Sequence, residues 1–234
     1  EEKLRAAEER AGRPAGSARL IAVSKTKPVE DMLAAYEAGI RDFGENYVQE
    51  VQEKAPQLPE DARIHFIGHL QTNKIGKLMD HVYMIHGVDS LHLAGALERQ
   101  ASARNRQLPV LLEVNIGGED SKFGFAPQEV LAAVREVLLS CPHLRLRGLM
   151  TSAPLTEDPE KNRPYFSAMR KLLDSANEML AEDPEGRFAG AEPLSEVSMG
   201  MSGDFEAAIQ EGATLVRVGT AIFGPRSYPM PAEL

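Results

Sequence analysis

The sequence predicts an α/β fold: a closed (β/α)₈ TIM barrel forming a single domain over residues 1–234. Three observations predict it. Short β-like runs alternate with helical patterns from end to end, which implies a parallel sheet covered by helices. Runs such as VLLEVNI and TLVRV are nearly continuous in apolar residues, as strands buried on both faces must be. About eight such βα units fit within the chain, the number that closes a barrel. An open doubly wound sheet is the alternative that the same alternation allows.

The elements follow in order. Residues 19–24 (RLIAVS) form a compact apolar run, followed by Pro28 at a first helical position. Val29, Met32, Leu33 and Tyr36 then recur at helical spacing until Gly39. Residues 42–44 are a short strand and 46–55 a helix; 63–68 (RIHFIG) a strand and 73–79 a helix. Strand 82–88 precedes helix 90–105, and strand 110–116 precedes helix 127–139. After strand 144–151, the acidic and proline-containing stretch 154–162 reads as a long surface loop. The helix over 161–180 carries Met169, Leu172, Leu173, Ala176 and Met179 on one stripe. Residues 194–198 are a weak strand and 205–210 a helix. Strand 213–218 and a last helical turn near 220–223 complete the alternation.

Composition narrows the function. Apolar residues make up 43% of the chain, an ordinary globular value, and no apolar run is long enough to span a bilayer. With 26 Lys and Arg against 35 Asp and Glu, the net charge is −9, so nucleic acid and anionic membrane are not expected partners. The single cysteine, Cys141, cannot form an internal disulfide. The start, EEKLRAAEERAG, is a charged helix former without an apolar signal core. Both point to a cytoplasmic protein.

In a barrel, chemistry gathers at the C-terminal ends of the strands. The first strand ends in Val23-Ser24-Lys25-Thr26-Lys27-Pro28, and Lys25 shares strand parity with Ile21 and Val23. Such a lysine either snorkels to solvent or, desolvated, becomes a nucleophilic amine able to form a Schiff base. After the seventh strand comes Ser198-Met199-Gly200-Met201-Ser202-Gly203-Asp204, and after the eighth Arg217-Val218-Gly219-Thr220, each leading into a helix. Gly200, Gly203 and Gly219 let backbone N–H groups approach an anion, and Ser202 and Thr220 add hydroxyls, as in barrel phosphate sites. The competing reading makes Ser202 an N-cap and Gly219 a turn residue.

A covalent lysine, a phosphate cradle and an arginine suit pyridoxal 5′-phosphate. Arg217, with the parity of Leu215, could face the pyridine nitrogen and leave it unprotonated, making the cofactor a weak electron sink; an ion pair within the barrel is the other reading. Other signals are set aside. His65 and His69 lack the glutamate of the zinc-helix motif. Asp204 stands where a nucleophile elbow needs its second glycine. There is no Walker loop, no G-x-G-x-x-G and no metal-ligand pattern, and Cys141 beside Pro142 reads as structural.

The segments AVSKTKP (22–28), FGENYVQE (43–50), HFIGHLQTNK (65–74), RLRGLMT (145–151), SMGMSGDFEAAI (198–209) and RVGTAIFG (217–224) resemble the pyridoxal phosphate homeostasis protein family. The resemblance implies a barrel similar to the N-terminal domain of alanine racemase, with pyridoxal phosphate bound through Lys25. It further implies Ser198, Ser202, Gly219 and Thr220 around the phosphate, Arg217 at the ring nitrogen and Asn46 beside the cofactor, with His69 and Met150 as further neighbours. Three functions are in contention. The first is a non-enzymatic protein, expected to be a monomer, that buffers pyridoxal phosphate or delivers it to pyridoxal phosphate-dependent apoenzymes. The second is an amino-acid racemase, which needs a second base that alanine racemases take from a C-terminal domain; the short tail after Gly224 leaves no room for one. The third is a Schiff-base aldolase, for which Glu113 is the one remote acid/base residue. Lys122, in the loop 117–125, is a conceivable second cofactor site.

Overall fold

The computed structural model describes residues 1–183 and 185–225. Eight parallel strands close in sequence order: β1 (Arg19–Val23), β2 (Asp42–Glu45), β3 (Arg63–Phe66), β4 (Met84–Val88), β5 (Leu108–Glu113), β6 (Leu144–Met150), β7 (Glu196–Ser198) and β8 (Leu215–Val218). The ring shuts where β1 pairs with β8, with Ile21 opposite Arg217. The barrel, not the open sheet, is the fold. Helix α1 (Glu2–Arg10) precedes β1. Each strand is then followed by a helix: α2 (Val29–Glu37), α3 (Val48–Lys54), α4 (Ile75–Leu78), α5 (Leu91–Ala103), α6 (Val130–Ser140), α7 (Arg163–Ala181), α8 (Phe205–Gln210) and α9 (Thr220–Phe223).

Side-chain parity divides each strand between two cores. Outward residues pack on the helices. The α7 stripe buries Phe166, Met169, Leu173 and Ala176, while Leu172 and Met179 are partly covered. Inward residues form a small apolar layer of Ile21, Met84, Leu111, Met150 and Leu215. Inward positions on β2, β3, β4, β7 and β8 instead carry the buried polar groups Asp42, His65, His86, Ser198 and Arg217. Small TIM barrels usually fill this space with branched apolar side chains.

Several boundaries differ from expectation. Asn46 lies outside the helix predicted over 46–55, because α3 begins at Val48. Strand β5 ends at Glu113, not 116, because Phe125 folds back: its N–H donates to the Glu113 carbonyl, and the Asn115 N–H donates to the Phe125 carbonyl. The predicted helix 73–79 is a 3₁₀ turn at Thr72–Lys74 followed by the single-turn α4. Helix α1 packs against α8, tied down by Arg13, which donates to the carbonyls of Ile209 (2.6 Å) and Ala213 (2.8 Å). Cys141, buried at the end of α6, has its thiol pushed up to about 11 by burial and the nearby carboxylates of Glu98 and Glu136. It is a packed side chain and no nucleophile.

Candidate functional site

A cavity of about 300 Å³ opens at the C-terminal ends of the strands. Its walls include Lys25 and Asn46 on one side and Ser202, Arg217, Gly219 and Thr220 on the other. Residues 156 to 195 positions apart in sequence therefore share one chamber. A wider groove of about 1170 Å³ lies outside the barrel, between α1 and α8, and reaches Ser202 and Gly203 from the far side. It offers neither Lys25 nor Arg217, so the strand-end cavity is the candidate site.

The segment carrying Lys25 is clamped from beneath. Ser24 points outward and donates its hydroxyl proton to Glu45 Oε1 (2.7 Å). Lys54, from the end of α3, donates to the Ser24 carbonyl (3.0 Å) and to the carboxylates of Glu45 (2.9 Å) and Glu50. Glu50 also accepts the Thr26 N–H (2.9 Å), and Thr26 has the left-handed φ of +62°. A threonine costs energy in that region, so the clamp over-determines the turn that aims Lys25. Burial pushes the Glu45 carboxyl up to about 7 against the opposing pull of Lys54 and Ser24.

Asn46 follows β2 into the cavity wall. Gly68 makes room for it: a β-carbon there would stand 2.4 Å from the Asn46 carbonyl oxygen. Among the described residues, the buried Asn46 Oδ1 has no hydrogen-bond partner. An orphaned acceptor in a cavity wall is suited to a ligand's donor.

The opposite wall is built by the β7–α8 and β8–α9 turns. Gly219 donates its N–H to Ser202 Oγ (3.2 Å), which ties the two loops together. Gly200 holds the first loop in a left-handed turn at φ +90°, packed on α8. Arg217 forms the floor. Its Nη1 donates to Ser198 Oγ (2.7 Å) and its Nη2 to the Thr151 carbonyl (2.8 Å). Burial lowers its pKa to about 10, partly offset by Glu113 and Asp204, so it remains a cation at neutral pH.

The structure thus brings Lys25, Asn46, Ser202, Arg217, Gly219 and Thr220 to one cavity. Ser198 sits deeper: it is fully buried, holds Arg217 from below and is not part of the cavity wall. Met150 lies in the inner apolar layer, and His69 at the rim pairs with Asp89 (2.9 Å) and stacks on Phe123 (3.7 Å between ring centres). Glu113, at the end of β5, has its carboxyl pushed up to about 7 by burial and by Asp89. Lys122 is held by Glu119 (2.6 Å) and donates to the Ser152 and Ala153 carbonyls (3.2 Å each). Sequence reasoning missed Glu45 and Lys54. Their signal was weak: a buried lysine four residues after Glu50, on the helix face turned to the barrel. Among the described residues, no three His, Cys, Asp or Glu side chains gather as a metal site.

Comparisons with known proteins place the chain as a whole. The family model for the alanine racemase N-terminal domain matches residues 1–227. The pyridoxal phosphate homeostasis protein of Aquifex aeolicus is 43% identical over 228 residues, covering 97% of this chain and 95% of that protein. PipY of Synechococcus elongatus, solved with PLP bound, superposes with a TM-score of 0.77 at 35% identity, over 96% of this chain and 100% of its own. The alanine racemase of Streptomyces lavendulae shares only the fold: TM-score 0.72, 19% identity, 97% of this chain and 57% of its own.

Proposed function

Because the chain belongs to the pyridoxal phosphate homeostasis protein family, built on an alanine racemase N-terminal barrel, we propose that it holds pyridoxal 5′-phosphate on Lys25 and takes part in intracellular homeostasis of that cofactor. One observation carries the residue assignment: Lys25 shares a single strand-end cavity with Arg217 and with the loop pair Ser202 and Gly219–Thr220.

The residues present fit the group. Lys25 is the amine that would hold the cofactor covalently, and the cofactor would supply the aldehyde for that bond. The Ser202 and Thr220 hydroxyls and the backbone N–H groups around Gly219 offer donors to a phosphate at the start of α9. Asn46 Oδ1 is an unused acceptor for a donor on the cofactor. Arg217 can only donate, so a ring nitrogen facing it stays unprotonated and the ring withdraws electrons weakly. That supports storage over carbanion chemistry, and with it a protein without robust catalysis. The racemases are distant fold relatives only.

The finer reading is a monomer that buffers the cofactor or passes it to dependent apoenzymes in the cytoplasm. The buried single cysteine supports the reducing location, and the net charge of −9 disfavours nucleic acid and anionic membrane as partners. Among the described residues, no helix is long and apolar enough to cross a membrane. The test is reconstitution with pyridoxal phosphate followed by visible absorption spectroscopy. Wild type is expected to turn yellow and Lys25→Ala to stay colourless while keeping its fold; a colourless wild type overturns the reading. Incubation with L-alanine is expected to give no steady formation of the D-isomer, and sustained turnover would restore the racemase.

A further inference from the structure

A hydrogen-bonded column of buried polar groups fills the barrel interior beneath the cavity. At the far end, Arg63 Nη2 donates to Asp42 Oδ2 (2.6 Å). Asp42 Oδ1 lies 2.7 Å from His65 Nε2, His65 Nδ1 lies 2.9 Å from His86 Nε2, and His86 Nδ1 lies 2.9 Å from Ser198 Oγ. Ser198 then meets Arg217. Both imidazoles and the hydroxyl are wholly buried, so each polar atom depends on its neighbour in the column.

Counting donors fixes the direction of every bond. Arg217 can only donate, so Ser198 Oγ must accept from it and turn its own proton elsewhere. His86 Nδ1 is the atom in place to accept that proton. The other end makes this the one consistent arrangement: a neutral His65 must donate from Nε2 to the Asp42 carboxylate, so its Nδ1 accepts from His86 Nε2–H, and His86 Nδ1 is left as the acceptor for Ser198. The Asp42 carboxylate terminates the series as an acceptor, fixed by Arg63. Burial disfavours the charged form of both imidazoles. Asp42, Arg19 and Arg63 act on His65, while His65, Arg19 and Arg217 act on His86. Because the Asp42 carboxylate only accepts, reversing any one bond while both imidazoles stay neutral sets two acceptors face to face on the Asp42 side of the column.

We propose that Asp42, His65 and His86 are positioning residues: by fixing the tautomers of the column they hold the Ser198 hydroxyl as an acceptor and so lock the Arg217 guanidinium in the cavity floor against the cofactor's ring. This rests on the reading of the site as the pyridoxal phosphate pocket. The column touches the ring only through Arg217, which separates it from the covalent lysine and from the phosphate loops.

The test loads wild type, His65→Phe, His86→Phe and Asp42→Asn with pyridoxal phosphate and compares the position of the visible band and the dissociation constant. Leu97→Ala, a cavity in the helix layer on α5, controls for simple loss of stability. Releasing Arg217 is expected to shift the visible band and weaken retention about tenfold, the effect of losing one charged hydrogen bond. Asp42→Asn, isosteric and at the opposite end of the column, is expected to move the band in the same direction, and it serves where a histidine variant fails to fold. His86→Gln, which can still accept from Ser198, is expected to restore much of the wild-type band. Bands and affinities unchanged, or changed only as in Leu97→Ala, overturn the proposal. A wild type that takes up no cofactor overturns instead the reading on which it rests.

Discussion

Replacing Gly200 by alanine tests whether the β7–α8 turn is built as described. Gly200 has φ +90°, and a β-carbon there would stand 2.6 Å from Ala208 Cβ and 3.0 Å from Phe205 Cα. The left-handed backbone costs an L-residue roughly 1–2 kcal/mol. Pushing an extra methyl into the packed start of α8 costs about 1–3 kcal/mol more. The lower entropy of the unfolded alanine chain returns a few tenths to about 1 kcal/mol. The net loss is about 3 kcal/mol, which for a chain of this size lowers the melting temperature by roughly 6–12 °C. Gly203, three residues on, is the internal control: its φ is not in the left-handed region and nothing lies within 4 Å of its added carbon. Gly203→Ala is expected to stay within about 1 kcal/mol of wild type. Thermal unfolding of the cofactor-free proteins decides it. Equal melting temperatures for the two variants would refute the geometry assigned to this loop.

Arg217→Ala and Ser202→Ala are each expected to weaken cofactor retention by roughly tenfold or more while leaving Lys25 able to react. Equilibrium dialysis checks this, and unchanged retention in both would mean the anion lies elsewhere. Glu113→Gln reports on pH. Its carboxyl is raised from 4.5 to about 7 in the folded chain, so its contribution to stability is full below pH 4.5 and is lost as pH rises through 7. In cofactor-free protein the variant is expected to gain up to about 3 kcal/mol over wild type at pH 8 and nothing near pH 4. Urea denaturation at both pH values measures it, and equal differences at the two would contradict the burial of Glu113.

Much of the site was legible because a parallel barrel strand has period two and opens its inward face only at the end. Lys25 and Arg217 could be placed by parity with Ile21 and Leu215, both of which lie in the inner layer. The glycine–hydroxyl turns after the seventh and eighth strands could be placed by order alone. The turn at 220–223 was read correctly, but the single-turn α4 carries too few residues for its bounds to register within the helix expected over 73–79. The column was not legible for a different reason. Asp42, His65, His86 and Ser198 come from four strands, and sequence spacing does not show which inward residues will share a level. His65 in particular stands four residues from His69, yet its partners are Asp42 and His86, while His69 turns to Asp89 at the rim. A polar residue at an inward position of an otherwise apolar run, as in the MIHGV of β4, is the one signal that would have flagged it.

The central claim is a covalent bond between this chain's first strand-end lysine and the aldehyde of pyridoxal phosphate. Borohydride reduction of the reconstituted protein followed by peptide mass mapping tests it most directly. One stable phosphopyridoxyl adduct is expected, on the peptide containing Lys25. An adduct confined to Lys122 or to other surface lysines, with Lys25 unmodified, would contradict it.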